Sequence, residues 1–199
     1  MRDGLGYVWH TPALRTPLLA LAVVGTLAFS VQVSVPTLVR GSFGGGAPLM
    51  GTAFTAVTAG SLAGALYGAA RGAPGPRAIA RAAAVMAGSM VTVAVAPTVA
   101  VAIAGLAGVG LAWSLVLISV IAVLQSADPR MLGRVMSLFA VVLLGGTAAG
   151  GPIAASVAAT IGPRAPFLVG AGAAIVITGA YHRELVPACQ APAPTHPRA

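Results

Sequence analysis

The sequence predicts an all-α, polytopic membrane protein with six transmembrane helices. Of its 199 residues, 58% are hydrophobic and only 7% are charged, whereas a soluble domain of this size carries about a quarter charged residues. The mean hydropathy is +0.96. Because so few charges cannot coat a surface that faces water, we expect the lipid bilayer to be the solvent for most of the chain.

The charges that are present divide the chain into apolar runs. Eleven arginines, with no lysine, stand against three acids and give a formal net charge of +8. The arginines are scattered singly, whereas nucleic-acid binding needs a contiguous basic patch, so we expect no nucleic-acid partner. Cys189 is the only cysteine, which excludes an internal disulfide and a cysteine-based metal site.

Apolar run length predicts six spans between a cytoplasmic N-terminal segment, 1–16, and a disordered cytoplasmic tail, 182–199. Pro97 divides the longest apolar stretch into two spans, because proline cannot continue a helix. The first run also fits a secretory signal cleaved near Ala28–Ser30, but it continues past that site, which favours a retained span. The predicted spans of the 17–181 bundle are 17–39, 49–70, 79–96, 99–124, 134–158 and 165–181.

Positive charge predicts the orientation of these spans. If the N-terminus is cytoplasmic, nine arginines fall on the cytoplasmic side, and only Arg40 and Arg164 fall outside. This excess follows the positive-inside rule. We therefore expect a multi-pass plasma-membrane protein with both termini in the cytoplasm.

The segment Gln125–Leu138 places a compact charged stretch between two uncharged apolar runs. Asp128 followed by Pro129 is typical of a helix N-cap and first turn, and predicts that a helix begins here. Arg130 and Arg134 would then lie at a water boundary. An ordinary charged loop between helices is an equally weighted alternative.

Glycines at intervals of four predict close helix packing. Gly60, Gly64 and Gly68 leave one face of the second span without side chains, so another helix can approach closely. Glycine is abundant here, with 26 in all, but strict register favours a packing face. Gly146 and Gly150 predict a second close contact in the fifth span.

The positions of the ionisable residues argue against an intramembrane enzyme. Asp3, Asp128 and Glu184 lie at boundaries or ends, as do the histidines. A nucleophile with its base, a paired-aspartate site or a metal site therefore cannot be assembled within the membrane. We expect no enzymatic activity, no cofactor, no metal and no intramembrane proton relay.

A few polar or bulky residues remain as candidates for a substrate cavity. Gln32 lies mid-span, and in lipid its amide would leave hydrogen bonds unmade, so it should face a cavity or another helix. We take Gln32, Pro36, Trp113 and Gln125 as the cavity candidates. The alternatives are an interhelical tether for Gln32 and ordinary packing for Trp113.

Several motifs occur in the order and at the spacings of one transporter family. The motifs are, in chain order, Asp3-Gly-Leu-Gly-Tyr7, Thr11-Pro-Ala-Leu-Arg15, Gln32 with Pro36, Gly60-x-x-x-Gly64, Gln125 with Pro129-x-x-x-Gly133-Arg134-Val135-Met136, Gly151-Pro152, Gly162-x-Arg164 and Phe167. Through them Asp3–Ile177 resembles the C-terminal six-helix half of a major facilitator superfamily exporter. It is similar to the branch that contains enterobactin and macrolide efflux proteins.

The resemblance implies an alternating-access secondary carrier that exports small amphipathic molecules of a drug-like or siderophore-like kind. It also implies a cytoplasmic gate formed by Arg71, Arg77, Asp128, Arg130, Gly133 and Arg134. The sequence departs from the family motifs at two positions. Both departures reduce the number of charge pairs that bias such carriers between their inward-facing and outward-facing states. Leu132 replaces the first arginine of the family's R-G-R, and Gly68 replaces the acid of its G-x-x-x-D-R-x-G motif.

The resemblance covers only one half of a twelve-helix carrier, and alternating access needs one bundle to rock against another. We therefore expect the partners to be the lipid bilayer, a small-molecule substrate, and either a second six-helix half or a second copy of the chain. A truncated gene product is a further reading. The alternative function is a truncated or degenerate, non-transporting membrane protein that only packs against partner helices.

Overall fold

A computed structural model describes residues 18–19, 21–23, 25–26, 31–71, 76–125 and 130–188, with only the backbone at 31–32, 76–77, 147 and 180–188. In this part of the chain the regular structure is helical, without strands, as predicted. Helical residues between 18 and 26 precede six longer helices. These are α1 (Val31–Phe43), α2 (Ala47–Arg71), α3 (Pro76–Val95), α4 (Val99–Leu124), α5 (Leu132–Thr160) and α6 (Ala165–Ala188).

Among the described residues, four helices are long and apolar enough to cross a membrane. By length and composition they are Ala47–Arg71, Ala78–Val95, Val99–Leu124 and Leu132–Thr160, and Ala165–Gly179 is a shorter apolar helix. The predicted first span, 17–39, falls partly outside the described residues. The total of six spans therefore stays a prediction. α6 continues to Ala188, so the backbone is helical over 182–188, where a disordered tail was predicted.

Proline and threonine set the boundaries around α3 and α4. Pro76 is the first residue of α3, where its fixed φ suits the first turn and its missing N–H breaks no helical bond. The chain then turns at residues 96–98. Thr98 is the N-cap of α4, and its side-chain oxygen accepts a hydrogen bond from the Val101 N–H at 3.4 Å.

α5 begins at Leu132, three residues after the predicted Asp128–Pro129 start and two residues before the predicted span 134–158. The Met131 carbonyl accepts the first helical bond, from the Val135 N–H at 3.0 Å. Met131 is the N-cap and makes no side-chain capping bond. Asp128 lies outside the described residues.

α2 packs closely against α4, the central helix, through its glycines. A Cβ placed at Gly60 would collide with the backbone of Ala107, and one at Gly64 would collide with the backbone of Leu111. A Cβ at Gly68 would instead meet a side-chain methyl group 3.2 Å away. Because the contacts advance along both helices together, α2 and α4 run parallel.

α4 contributes glycines of its own, which the sequence analysis did not single out. A Cβ at Gly110 would collide with the backbone of Val57, and the Ser61 hydroxyl donates a hydrogen bond to the Gly110 carbonyl at 3.2 Å. Facing α3, a Cβ at Gly105 would lie 3.2 Å from the Ser89 carbonyl oxygen. α4 is therefore held between two close neighbours.

The glycines of α5 lie against the helical segment that precedes α1. A Cβ at Gly146 would be 3.1 Å from the Thr26 hydroxyl, and one at Gly150 would collide with the Thr26 carbonyl. The hydroxyl itself donates a hydrogen bond to the Ala22 carbonyl at 2.7 Å. α5 therefore approaches this segment through backbone and small groups.

Apolar side chains fill the remaining space in two clusters. The larger cluster joins α3 and α4 with residues of α5, α6 and the first segment, and its members include Ile79, Met86, Met90, Val109, Val116 and Leu124. The smaller joins α1, α2, α3, α4 and α6, and includes Val35, Leu38, Val93, Leu106 and Phe167. Both lie around α3 and α4, so these two helices form the interior of the bundle.

The helices sort the arginines to two ends. Because α2 and α4 run parallel, Arg71 at the end of α2 lies at the same end as Gln125, which follows α4. α3 and α5 begin there, whereas Arg164 lies at the opposite end with the Ala96 carbonyl. We call these the arginine-rich end (Arg71, Arg77, Arg81, Arg130 and Arg134) and the Arg164 end (Arg40 and Arg164).

Replacing Gly60 by alanine should destabilise the protein by about 1–3 kcal/mol, because the new Cβ meets the backbone of Ala107. Gly68→Ala should cost less, since the methyl group that it meets can move. Gly51→Ala is the control, because a Cβ there meets open space. Thermal unfolding in detergent, followed by size-exclusion chromatography, measures the difference. Equal midpoints for Gly60→Ala and Gly51→Ala would contradict the contact.

Candidate functional site

The last turn of α2 carries a stacked arginine at the arginine-rich end. The Cζ atom of Arg71 lies 4.9 Å from the centroid of the Tyr67 ring. Both side chains are exposed, Tyr67 by 50%. Such a cation–π contact holds the guanidinium plane against the ring and leaves its N–H edge available to an acceptor.

The first turns of α5 hold two further predicted gate residues. Arg134 donates from Nη1 to the Met131 sulfur at 3.6 Å, and its carbonyl accepts a hydrogen bond from the Ser137 hydroxyl at 2.8 Å. Gly133 is exposed, and a Cβ there would meet open space. Arg130 is exposed in the turn before the helix. Close packing therefore does not restrain Gly133.

The side chains of two predicted gate residues are not described by the structure. Asp128 falls in the gap at 126–129, and only the backbone of Arg77 is described, in the first turn of α3. A charge pair between Asp128 and an arginine therefore stays a prediction. The described gate residues share one end of the bundle, and they are Arg71, Arg130, Gly133 and Arg134.

The opposite end is tied together by Arg164. Its Nη2 donates a hydrogen bond to the Ala96 carbonyl at 3.1 Å, and its Cζ lies 6.0 Å from the centroid of the Phe43 ring. The last carbonyls of a helix lack an intrahelical donor, and here Arg164 supplies one just beyond α3. Gly41 also packs against Pro163. One turn thus connects the ends of α1 and α3 to the start of α6.

From the sequence, Arg164 marks the outer side and belongs to the Gly162-x-Arg164 motif, and neither feature predicts what the arginine contacts. Its partner Ala96 is 68 positions away, which no local pattern spans. A local signal for the turn did exist in Gly162-Pro-Arg164, because Gly162 has a φ of 129°, a conformation that favours glycine. The signal predicts a chain reversal but gives no partner for the arginine.

The predicted cavity residues lie at different depths of the bundle. Trp113 is half-buried against the larger core cluster, whereas Gln125 is exposed one residue beyond α4. The twelve positions between them, 125 minus 113, correspond to about 18 Å of helix. Pro36 is half-buried inside α1, and only the backbone of Gln32 is described. The structure therefore does not bring Trp113 and Gln125 together.

α1 buries a hydroxyl group without a partner. Ser34 is only 3% exposed, and its Oγ makes no hydrogen bond with any described residue. A buried hydroxyl left unpaired costs about 1–3 kcal/mol. In spans, serine commonly bonds to a neighbouring helix, as Ser61 does here, so Ser34 departs from that pattern.

α2 and α5 are the least buried of the four long apolar helices. In their most apolar windows 17% and 18% of the residues are buried, against 50% in α3 and 39% in α4. Their exposed sides carry mainly small or hydroxyl-bearing residues. We call these the small-residue faces, formed on α2 by Gly51, Thr52, Thr55, Thr58 and Ala59, and on α5 by Gly145, Ala148, Ala149, Pro152 and Ala155.

The threonines of the α2 face satisfy their own hydroxyl donors. Thr52 Oγ1 donates to the Leu49 carbonyl and Thr55 Oγ1 to the Gly51 carbonyl, both at 2.8 Å. The face is therefore smooth and needs no external acceptor, so a helix can pack on it closely. Large apolar side chains are also exposed, at Leu62 and Leu66 on α2, at Val141 and Leu144 on α5, and at Leu168, Ile175 and Val176 on α6.

Long apolar helices packed through glycine, with arginines sorted to their ends, define a multi-pass membrane protein. A model of the major facilitator superfamily family described as "transmembrane secretion effector" matches residues 1–196, and the chain belongs to this family. No protein of curated function matches it. The predicted superfamily is thus confirmed, and with it membrane transport, of the efflux type in general. Transporters of this superfamily are generally not enzymes.

Replacing Arg164 by glutamine should lower the free energy of unfolding by about 1–3 kcal/mol, because the Ala96 carbonyl loses a charged donor. Arg40→Gln removes one charge from the same end and is the matched control, since Arg40 is exposed. Thermal unfolding in detergent measures both variants. A loss of similar size in the two would show that charge, rather than this hydrogen bond, stabilises the end.

Proposed function

We propose that the chain forms one six-helix half of an alternating-access secondary carrier that exports small amphipathic molecules across the plasma membrane. Membership of a secretion family supports export. The observation that carries the two-half arrangement is the exposure of the small-residue faces on α2 and α5. The motifs shared with enterobactin and macrolide exporters favour a substrate of that drug-like or siderophore-like kind.

The two sides of α2 show why a partner is proposed there. Gly60 and Gly64 lie against α4, whereas Thr55 and Ala59 are exposed. At about 100° per residue, Gly60 and Thr55 are about 140° apart around the helix. One side of α2 is therefore occupied, and the other has the small residues that a second helix or a substrate path requires.

The second half comes from a separate six-helix chain or from a second copy of this one. Rocking of one half against the other would open the path to each side in turn. Gln32, Pro36 and Trp113 are proposed to face this path, and Gln125 lies at its arginine-rich mouth. The described helices carry no carboxylate within their apolar spans, so a proton relay would have to use groups of the other half.

The proposed orientation places the arginine-rich end in the cytoplasm, together with both termini. The positive-inside rule supports it, since nine arginines then lie inside and two outside. The cytoplasmic gate would consist of Arg71, Arg77, Asp128, Arg130, Gly133 and Arg134. Gating would use fewer charge pairs than in related carriers, because Gly68 and Leu132 replace an acid and an arginine.

Adding bulk to a small-residue face should block export. In Ala148→Leu the side chain stands where a second half would pack, so we expect export to fall by about tenfold or more, as for a contact worth at least about 1.4 kcal/mol. Val176→Leu, on the exposed apolar side of α6, should leave export unchanged. The measurement is loss of a fluorescent amphipathic dye from cells that produce the chain in its native host.

Two outcomes would count against the proposal. Equal export by Ala148→Leu and the unchanged chain would show that the α5 face does not receive a second half. If deletion of the chain from the host left export of such dyes and of iron-chelating compounds unaltered, the non-transporting alternative would be favoured. Each variant is compared at equal membrane abundance, so that poor insertion is not read as lost transport.

A further inference from the structure

Positive charge at the arginine-rich end comes from its exposed arginines. The four arginines whose side chains are described there are all exposed. The helix dipoles add no net charge there, because α3 and α5 begin at this end whereas α2 and α4 end at it. In the proposed orientation the sequence offers this side three carboxylates, Asp3, Asp128 and Glu184, against nine arginines. An excess of positive charge therefore remains.

These charges lie where membrane-crossing helices reach the lipid headgroups. Arg71 is the last residue of one helix long enough to span the bilayer, and Arg134 is the third residue of another. If these helices span the bilayer, an exposed guanidinium at either position would lie next to the phosphate layer. Anionic lipids attract arginines placed in this way, and the attraction falls off within a Debye length.

The Tyr67–Arg71 pair gives this end an ordered anion donor. The Cζ of Arg71 lies 4.9 Å from the ring centroid, so the ring restrains a side chain that would otherwise sample many rotamers. Tyrosine is also enriched at membrane–water interfaces. A guanidinium held in this way can donate two parallel N–H bonds to a phosphate group.

We infer that the arginine-rich end is a binding surface for anionic phospholipid headgroups, with the stacked pair Tyr67 and Arg71 at its centre. Charge complementarity selects lipids with a net negative headgroup, such as phosphatidylglycerol, over zwitterionic phosphatidylcholine. The Arg164 end is different, because the guanidinium of Arg164 is half-buried and already bonded to Ala96. The inference goes beyond transport and requires no transport activity.

Titration of the purified full chain in detergent with fluorescent phosphatidylglycerol tests this inference. We expect phosphatidylglycerol to bind about tenfold or more tightly than phosphatidylcholine, and Arg71→Gln to weaken its binding by about fivefold. Arg40→Gln, the matched loss of one exposed charge at the opposite end, should leave binding unchanged. Tyr67→Phe keeps the ring and should bind normally, whereas Tyr67→Leu should lose about threefold.

Three results would overturn the inference. They are equal affinity for the two lipids, equal losses in Arg71→Gln and Arg40→Gln, and displacement of phosphatidylglycerol by millimolar inorganic phosphate, which would indicate a site for free phosphate. Far-ultraviolet circular dichroism and gel filtration confirm that each variant is folded. Because the assay measures no transport, failure of the carrier proposal and failure of lipid binding are separate outcomes.

Discussion

Backbone hydrogen bonding in lipid is the constraint on which this structure depends. Only 7% of the residues are charged, so the apolar runs lie in lipid, where no water can bond to the backbone. Each run therefore forms a helix, in which its N–H groups bond to its own carbonyls. Lipid is as apolar as leucine, so burial of leucine does not by itself hold two helices together. Close backbone contact does, and Gly60 and Gly64 permit it where α2 meets α4.

The two ends of the bundle are built differently. At the Arg164 end one guanidinium bonds to Ala96 and lies near Phe43, which links three helix ends in a fixed arrangement. At the arginine-rich end the described arginines are exposed, and a Cβ at Gly133 would meet no described atom within 4 Å. The exposed arginines lie at the end where the gate of the proposed carrier is placed.

The class of fold was predictable because it follows from composition and run length alone, and the shared motifs identified the superfamily that the family match supports. The register of Gly60 and Gly64 was also visible, but spacing describes one helix and not the helix that it meets. The contact between Arg164 and Ala96 depends on the whole bundle, so no local pattern could give it. Asp128-Pro129 placed the start of α5 only to within three residues, because local preference fixes helix boundaries loosely.

Single-cysteine labelling on the two sides of α2 tests the account most directly. In a Cys189→Ser background, Ser42→Cys precedes α2 and Pro74→Cys follows it. A membrane-impermeant maleimide added to intact cells is predicted to label position 42 and to reach position 74 only after the cells are permeabilised. Labelling of 74 with 42 silent would reverse the orientation and contradict the exporter account, and labelling of both would show that α2 does not cross the membrane.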